Sequence, residues 1–383
     1  MGLPAANTFL ALPEEAVELL DWLAEGSTVG AAIARYRAAN GQVPDLDGLL
    51  HALEARGFVS TGLAADGGDA PPSSLPVMRS HFDAISPRTA RLIFSRPAVA
   101  AACALIVGAL AIVVANPQLM PDWSALFFPE RLAVMGPSLL ALGLAMIFAH
   151  EMAHLTAARA VGVSCRLGIG HRLWIPVAET DMTGIWAVER RRRYLPFLAG
   201  PLLDATTAAA IMLLLAAADQ GWVTLSTMTL RIARAMFLIY LLNLLWQCYF
   251  FVRTDFYYVL ANYFGCKNLL ADTESYLRNR LARLIPRLGR RDQTHVPPAE
   301  MRVVRWYSLI WLLGRVVAIS VLVLVQMPLA WNYLELLGRA IVGHDGGPGS
   351  GQGAVGAILF LLFFGAGLGL WMRSLRKKRT RLA

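Results

Sequence analysis

The chain has 383 residues, of which 56% are hydrophobic and only 16% charged, with a formal net charge of +9 and a mean hydropathy of +0.51. These values exclude a soluble globule and describe a mainly α, polytopic helical membrane protein with about six transmembrane helices. The positive balance does not imply a nucleic-acid partner, because the basic residues fall between apolar segments, where the headgroups of a lipid bilayer meet them.

Residues 1–63 read as a separate soluble unit, with eight acidic and three basic residues against a basic remainder. Residues 2–12 are mildly apolar, but acidic residues follow at once, so no cleavable signal peptide is expected. Ala16, Leu19, Leu20 and Leu23 recur at helical spacing, with Asp21 and Glu25 facing away. Ser27 or Thr28 is a good N-cap for a second helix carrying Val29, Ile33 and Tyr36. Val43-Pro44-Asp45 starts a third, with Leu46, Leu49, Leu50 and Leu53, and Gly57-Phe58-Val59 closes it. Three short helices and a strand-like tail predict a small winged-helix module. Residues 64–77 are linker by composition, and 78–96 form a basic approach carrying Arg79, Arg88, Arg91 and Arg96.

Six spans follow, at about 97–116, 132–159, 194–217, 230–252, 304–327 and 354–372, each near or above the ~20 residues a crossing helix needs. The connections alternate in charge. Segment 159–193 has seven Arg, 253–305 has ten Arg or Lys and 373–383 has six, whereas 117–130 and 218–229 have none and 328–353 has only Arg339. The positive-inside rule then places both termini and the basic loops in the cytoplasm, and a bacterial inner membrane is the expected location. Trp123, Phe127, Phe128, Trp222, Trp306, Tyr307 and Trp331 fall near the predicted interfaces, as aromatic belts do. The Gly-rich stretch 346–353 reads as an outer loop tip.

The second span contains His150-Glu151-Met152-Ala153-His154. HExxH on a helix puts two imidazoles one turn apart on one face, where both can ligate one zinc ion. The intervening Glu151 is placed to take a proton from metal-activated water. Two His leave a catalytic zinc short of protein ligands. Asp255, at the end of span four, Asp204, within span three, and Asp181, in the loop after the HExxH helix, are the candidate third ligands. At 1.5 Å per residue His150 and His154 are roughly 14 and 8 Å inward of Arg159, and Asp204 is on the order of 16 Å inward of Arg193. Depth therefore favours Asp204, and Asp255 reaches the site only if its helix breaks and folds back, which a cavity permits. Val163 to Val188 alternates in places and predicts a β-hairpin or membrane-dipping segment whose edge could hold a substrate as an extended strand. His171 in that loop is a further candidate ligand. Cys103, Cys165, Cys248 and Cys266 lack CxxC spacing, so neither a disulfide framework nor a Cys metal site is expected.

Two resemblances bear on these residues. The order of parts around His150, Glu151 and His154 is similar to the site-2 protease family of intramembrane zinc metalloproteases, in which an Asp in a later Asn…Leu-Asp-Gly motif completes the zinc site. The resemblance implies Asp255 as third ligand, and Tyr257-Tyr258 resembles the Asp-Gly-Tyr-Tyr form of the peptide-maturation branch. Phe256 stands where the family has Gly. Asn243 or Gln247 would stand for the motif's Asn, Gln247 at the usual interval. Ala199-Gly200-Pro201-Leu202-Leu203-Asp204 resembles the family's Gly-Pro-x-x-Asn, with Asp204 replacing the Asn. Residues 1–63 look like PqqD-like domains, which bind a leader peptide.

These readings divide the chain into a peptide-binding module at 1–63, a linker and approach at 64–96, a metalloprotease core at 97–265, a basic loop at 266–303 and accessory helices with a basic tail at 304–383. The expected function is membrane-embedded zinc-dependent cleavage of a peptide or membrane-protein substrate, with peptide-modifying or export proteins as partners. The rival readings are a non-proteolytic scaffold or export partner in peptide maturation, and a transporter using Asp204 and the His pair as a proton relay.

Overall fold

The computed structural model describes residues 2–3, 8–9, 12, 14–54, 58–59, 85–126, 132–266, 268–285, 287, 289–294, 296–341 and 350–380. The expected linker at 64–77, Phe127, Phe128 and residues 346–349 of the expected tip lie outside them. The protein is mainly helical, and six of its helices are long and apolar enough to cross a membrane: Pro87–Ala115, Ser138–Ala160, Arg190–Asp219, Thr227–Gln247, Pro298–Glu335 and Ala357–Ser374.

The N-terminal unit contains α1 (Glu14–Ala24), α2 (Val29–Asn40) and α3 (Leu46–Glu54). Leu19, Ala32 and Leu46 form its core, lined by Trp22, Ile33 and Tyr36. Thr28 is the N-cap of α2, its hydroxyl accepting from the Ala31 N–H. Asp45 caps α3 by accepting from the Gly48 N–H at 2.9 Å. One feature was not anticipated in the sequence: β1 (Gly2–Leu3) pairs antiparallel with β2 (Thr8–Phe9). Of the expected wing only residues 58–59 are described, and they form a bend.

The bundle begins with α4 (Pro87–Ile93) and α5 (Arg96–Ala115), then α6 (Leu132–Ala160), which carries HExxH. α6 stops where expected, with Gly162 in the left-handed region at φ 85, the conformation that ends helices without a Cβ penalty. β3 (Arg166–Arg172) and β4 (Ile175–Asp181) then form the expected hairpin, in register from Arg166↔Asp181 to Arg172↔Ile175. α7 (Tyr194–Asp219) is the central helix, packed against α5, α6 and α8 (Thr227–Gln247). Its small residues Ala199, Gly200, Ala208 and Ala209 are buried and let neighbouring backbones approach closely.

Three boundaries differ from expectation. The fourth span ends at Gln247 rather than 252, and the chain restarts as α9 (Asp255–Phe264). Side chains cause the break: Thr254 caps α9 by accepting from the Tyr257 N–H at 3.3 Å, while its hydroxyl donates to the Gln247 carbonyl at 2.9 Å. After α10 (Leu269–Leu281), the fifth span runs far beyond 304–327, as α11 (Pro298–Val321), a π-helical turn at Leu322–Gln326 and α12 (Met327–Ile341). Pro328 lacks an N–H and cannot close the α-helical bond on its preceding turn, which accounts for the widened turn just before it. α13 (Ser350–Thr380) likewise begins inside the expected loop tip and continues through the basic tail. Trp123, Trp222, Trp306 and Trp331 are exposed, but Tyr307 is fully buried. Its ring packs near Tyr257 and its hydroxyl donates to the Phe250 carbonyl, so it belongs to the core and not to an aromatic belt.

Candidate metal centre

The HExxH turn of α6 lies between two apolar clusters. Met146 belongs to one, with Ala208, Ala209 and Met212 of α7 and Phe237 and Tyr240 of α8. Leu155 and Ala158 belong to the other, with Val163, Cys165, Ile185 and Phe197. The polar residues between them are almost wholly withdrawn from solvent, with His150 6%, Glu151 8%, His154 2% and Asp204 1% exposed. Buried polar groups of this kind persist only when paired, and each pairing here has a direction.

His150 Nδ1 lies 2.6 Å from Asp204 Oδ2. A carboxylate oxygen accepts, so the imidazole donates through Nδ1 and its Nε2 carries a lone pair. His154 Nδ1 lies 2.7 Å from the Pro196 carbonyl, which fixes the same tautomer. The two Nε2 atoms are 3.1 Å apart. Asp255 Oδ2 closes the triangle, 3.0 Å from His150 Nε2 and 3.1 Å from His154 Nε2. With both imidazoles neutral, three electron-pair donors converge there. A cation at their centre would offset their mutual repulsion in that state. A tetrahedral ion with bonds of about 2.0–2.2 Å spaces its ligands by roughly 3.3 Å, close to the observed triangle. His150, His154 and Asp255 are accordingly a set that could hold a metal ion.

Gly200 supports the same reading from the opposite side. A Cβ built on it would lie 2.5 Å from His150 Nε2 and closer still to His154 Nε2. The missing side chain leaves open the space onto which the three donors point.

The residues proposed from sequence separate into distinct roles. Asp255 reaches the imidazoles because of the break after Gln247, whose Oε1 accepts from the Asp255 N–H at 3.1 Å. Asp255 also opens α9, where the helix dipole favours a carboxylate. Asp204, which depth favoured as a ligand, sits instead on the far nitrogen of His150 and accepts from Asn243 Nδ2 at 2.7 Å. Its second oxygen, Oδ1, is buried without a hydrogen-bond partner among the described residues. Asp181 pairs with Arg166 at 3.2 Å and His171 Nδ1 bonds to the Leu173 carbonyl at 2.8 Å, so neither joins the triad. The four cysteines are free. Burial pushes the Cys165 thiol up to about 12 and the Cys266 thiol up to about 11.

Three contacts were not foreseen. Thr180 of β4 donates to Glu151 Oε2 at 2.7 Å, tying the hairpin to the HExxH carboxylate. The Pro196 carbonyl orients His154, and Gly200 keeps the space before both rings open. Gly200 stood in a quoted motif without a role. Thr180 had only the hairpin pattern to point to it, and no sequence signal marks a backbone carbonyl such as that of Pro196. One cavity of about 3470 Å³ is lined by His150, Glu151, His154 and Asp255, by both hairpin strands and by parts of α10 and α11. No protein-family profile, curated protein or solved structure matches the chain.

Proposed function

We propose that this protein is a membrane-embedded zinc metalloendopeptidase resembling the site-2 proteases. The convergence of His150 Nε2, His154 Nε2 and Asp255 Oδ2 within 3.0–3.1 Å carries the reading. Two imidazoles and one carboxylate with a further position open are the donor set of a catalytic zinc rather than of a closed structural site. Zinc held there supplies Lewis acidity, polarising a scissile carbonyl and lowering the pKa of a bound water. The chain does the rest. Glu151 takes the proton of the attacking water and delivers it to the leaving amine. Thr180 holds the Glu151 carboxylate in place, and Asp204 and the Pro196 carbonyl keep both ligand rings in the tautomer that presents Nε2.

In this reading the substrate is a peptide or membrane protein, both termini and the basic loops face the cytoplasm of a bacterial inner membrane, and residues 1–63 are a winged-helix, PqqD-like module that presents a peptide to the core. Peptide-modifying or export proteins are the partners such a module would serve.

Metal content and hydrolysis together test the proposal. Purified protein is expected to hold about one zinc per chain, lost in His150→Ala and Asp255→Ala and retained in Glu151→Gln. Glu151→Gln is expected to abolish cleavage of co-expressed peptides. Cleavage that survives in Glu151→Gln would sink the mechanism. Zinc without any cleavage in the wild type would favour the scaffold reading.

A further inference from the structure

The cavity that contains the metal triad does not end at the hairpin. It continues along α10, α11 and the segment between them, where Arg280, Arg283, Arg291 and Arg305 line it. Pockets for drug-sized ligands measure about 300–1,000 Å³; at about 3470 Å³ this space suits a length of polymer. The acidic groups along its walls are already engaged. Glu179 pairs with Arg172 at 2.7 Å, Asp181 with Arg166 at 3.2 Å and Glu274 with Arg315 at 3.7 Å. The four arginines have no carboxylate partner among the described residues. Arg280 is held by an aromatic ring instead, its guanidinium over Tyr276 at 5.6 Å with Nε donating to the Tyr276 hydroxyl at 3.1 Å.

Apolar residues lie among these arginines. Leu284, Leu309 and Leu312 line the same wall and are 81%, 67% and 50% exposed. Guanidinium forks beside exposed leucines match a chain that carries carboxylates and apolar side chains together. A small inorganic anion would leave the leucines uncovered.

We infer that the arginine and leucine wall formed by α10, α11 and the segment between them is a binding subsite for an acidic, leucine-bearing segment of the polypeptide whose scissile bond enters the metal centre. The inference rests on the proteolytic reading, because a shared cavity is what ties the wall to a peptide rather than to anionic lipid. The wall selects substrates by charge and anchors one segment while another lies against the hairpin and the triad.

The test uses the full chain as zinc-loaded Glu151→Gln in phosphatidylcholine nanodiscs, so that binding is read without cleavage. The probe is a short fluorescein-labelled peptide of alternating Glu and Leu, compared by anisotropy with the same peptide carrying Gln for Glu. The acidic peptide is expected to bind about tenfold tighter or more, with an affinity that falls steeply with salt. Replacing all four arginines by Gln is expected to remove that preference while zinc content stays unchanged. Because Arg280 also packs on Tyr276, Arg283→Glu alone serves as a milder variant, expected to weaken the acidic peptide several-fold and leave the Gln peptide unaffected. Equal binding of the two peptides, or an acidic preference that survives both variants, would overturn the inference. So would arginine-dependent binding of phosphatidylglycerol vesicles with no peptide binding, which would assign the wall to lipid. Failure of the proteolytic reading registers separately, as absent zinc or as cleavage that survives in Glu151→Gln.

Discussion

The helices that build the metal centre and the helices that follow it are held by different forces. In the most apolar stretches of the second and third spans, 39% and 33% of residues are buried within the protein, against 17% and 11% for the fifth and sixth. α6, α7, α8 and the start of α9 meet through directed contacts between buried polar groups: His150 with Asp204, Asp204 with Asn243, and Asp255 with Gln247. α12 and α13 pack mainly on each other and on the hairpin, and present Leu329, Leu334, Leu362 and Phe363 outward, as a lipid-facing surface does. A buried polar network tolerates no partial solution, because each unpartnered group costs about 1–3 kcal/mol. An apolar surface in lipid tolerates many. Substitutions in the first region should therefore change metal binding, and substitutions among the outward-facing residues of α12 and α13 should change stability alone.

The sharpest way to break that contrast is Gly200→Ala. A methyl group there meets both Nε2 atoms, and neither ring can retreat, because Asp204 and the Pro196 carbonyl hold their other nitrogens. The expected outcome is near-complete loss of bound metal, by elemental analysis, with helical circular dichroism preserved. Metal retained at the wild-type level would show that the rings are mobile and that the network does not fix the site.

Asp204→Asn tests the same region with a smaller effect. The amide keeps the shape and one acceptor, but it removes the negative charge behind His150. Partners of a ligand imidazole typically contribute 10–100-fold to metal affinity, so a loss of about that size is expected in competition with a chromophoric chelator. Unchanged affinity would reduce Asp204 to a packing residue. Complete loss would return it to the list of direct ligands.

How far these residues were legible differs for physical reasons. HExxH spacing alone placed His150, Glu151 and His154 on one helical face, because helical periodicity is local. The ruler that favoured Asp204 assumed straight helices and could not see which ring nitrogen a carboxylate would meet; Asp204 takes Nδ1, the side away from the triangle. Asp255 was a candidate from its place at the end of span four, but only the resemblance preferred it to Asp204, because the break that delivers it depends on Gln247 and Thr254 bonding across residues 247–255. The hairpin could be read from alternation, but its grip on Glu151 through Thr180 is a tertiary contact with no sequence mark. The boundaries of the fifth span were misplaced because hydropathy does not register that a helix continues through a π-turn into amphipathic segments on either side.

The smallest expected effect lies where the two regions touch. Trp174, at the hairpin tip, is buried. Its Nε1 donates to Gln326 Oε1 at 2.5 Å, and its ring meets Trp371 edge to face at 5.8 Å between centroids. Gly367 lies so close that a Cβ there would overlap the Trp174 carbonyl. Gln326 ends the π-turn, so the widened helix and the glycine of α13 together form the seat for the tip. Trp174→Phe keeps an aromatic ring and removes the donor. It should cost about 1 kcal/mol, read as a lowered midpoint of unfolding in detergent, with zinc content unchanged because Thr180 lies at the opposite end of β4. A fall in zinc content or in peptide hydrolysis larger than the fall in stability would mean that the clamp on the tip is transmitted along β4 to Glu151. The π-turn, α12 and α13 would then belong to the catalytic unit rather than to its lipid-facing surround.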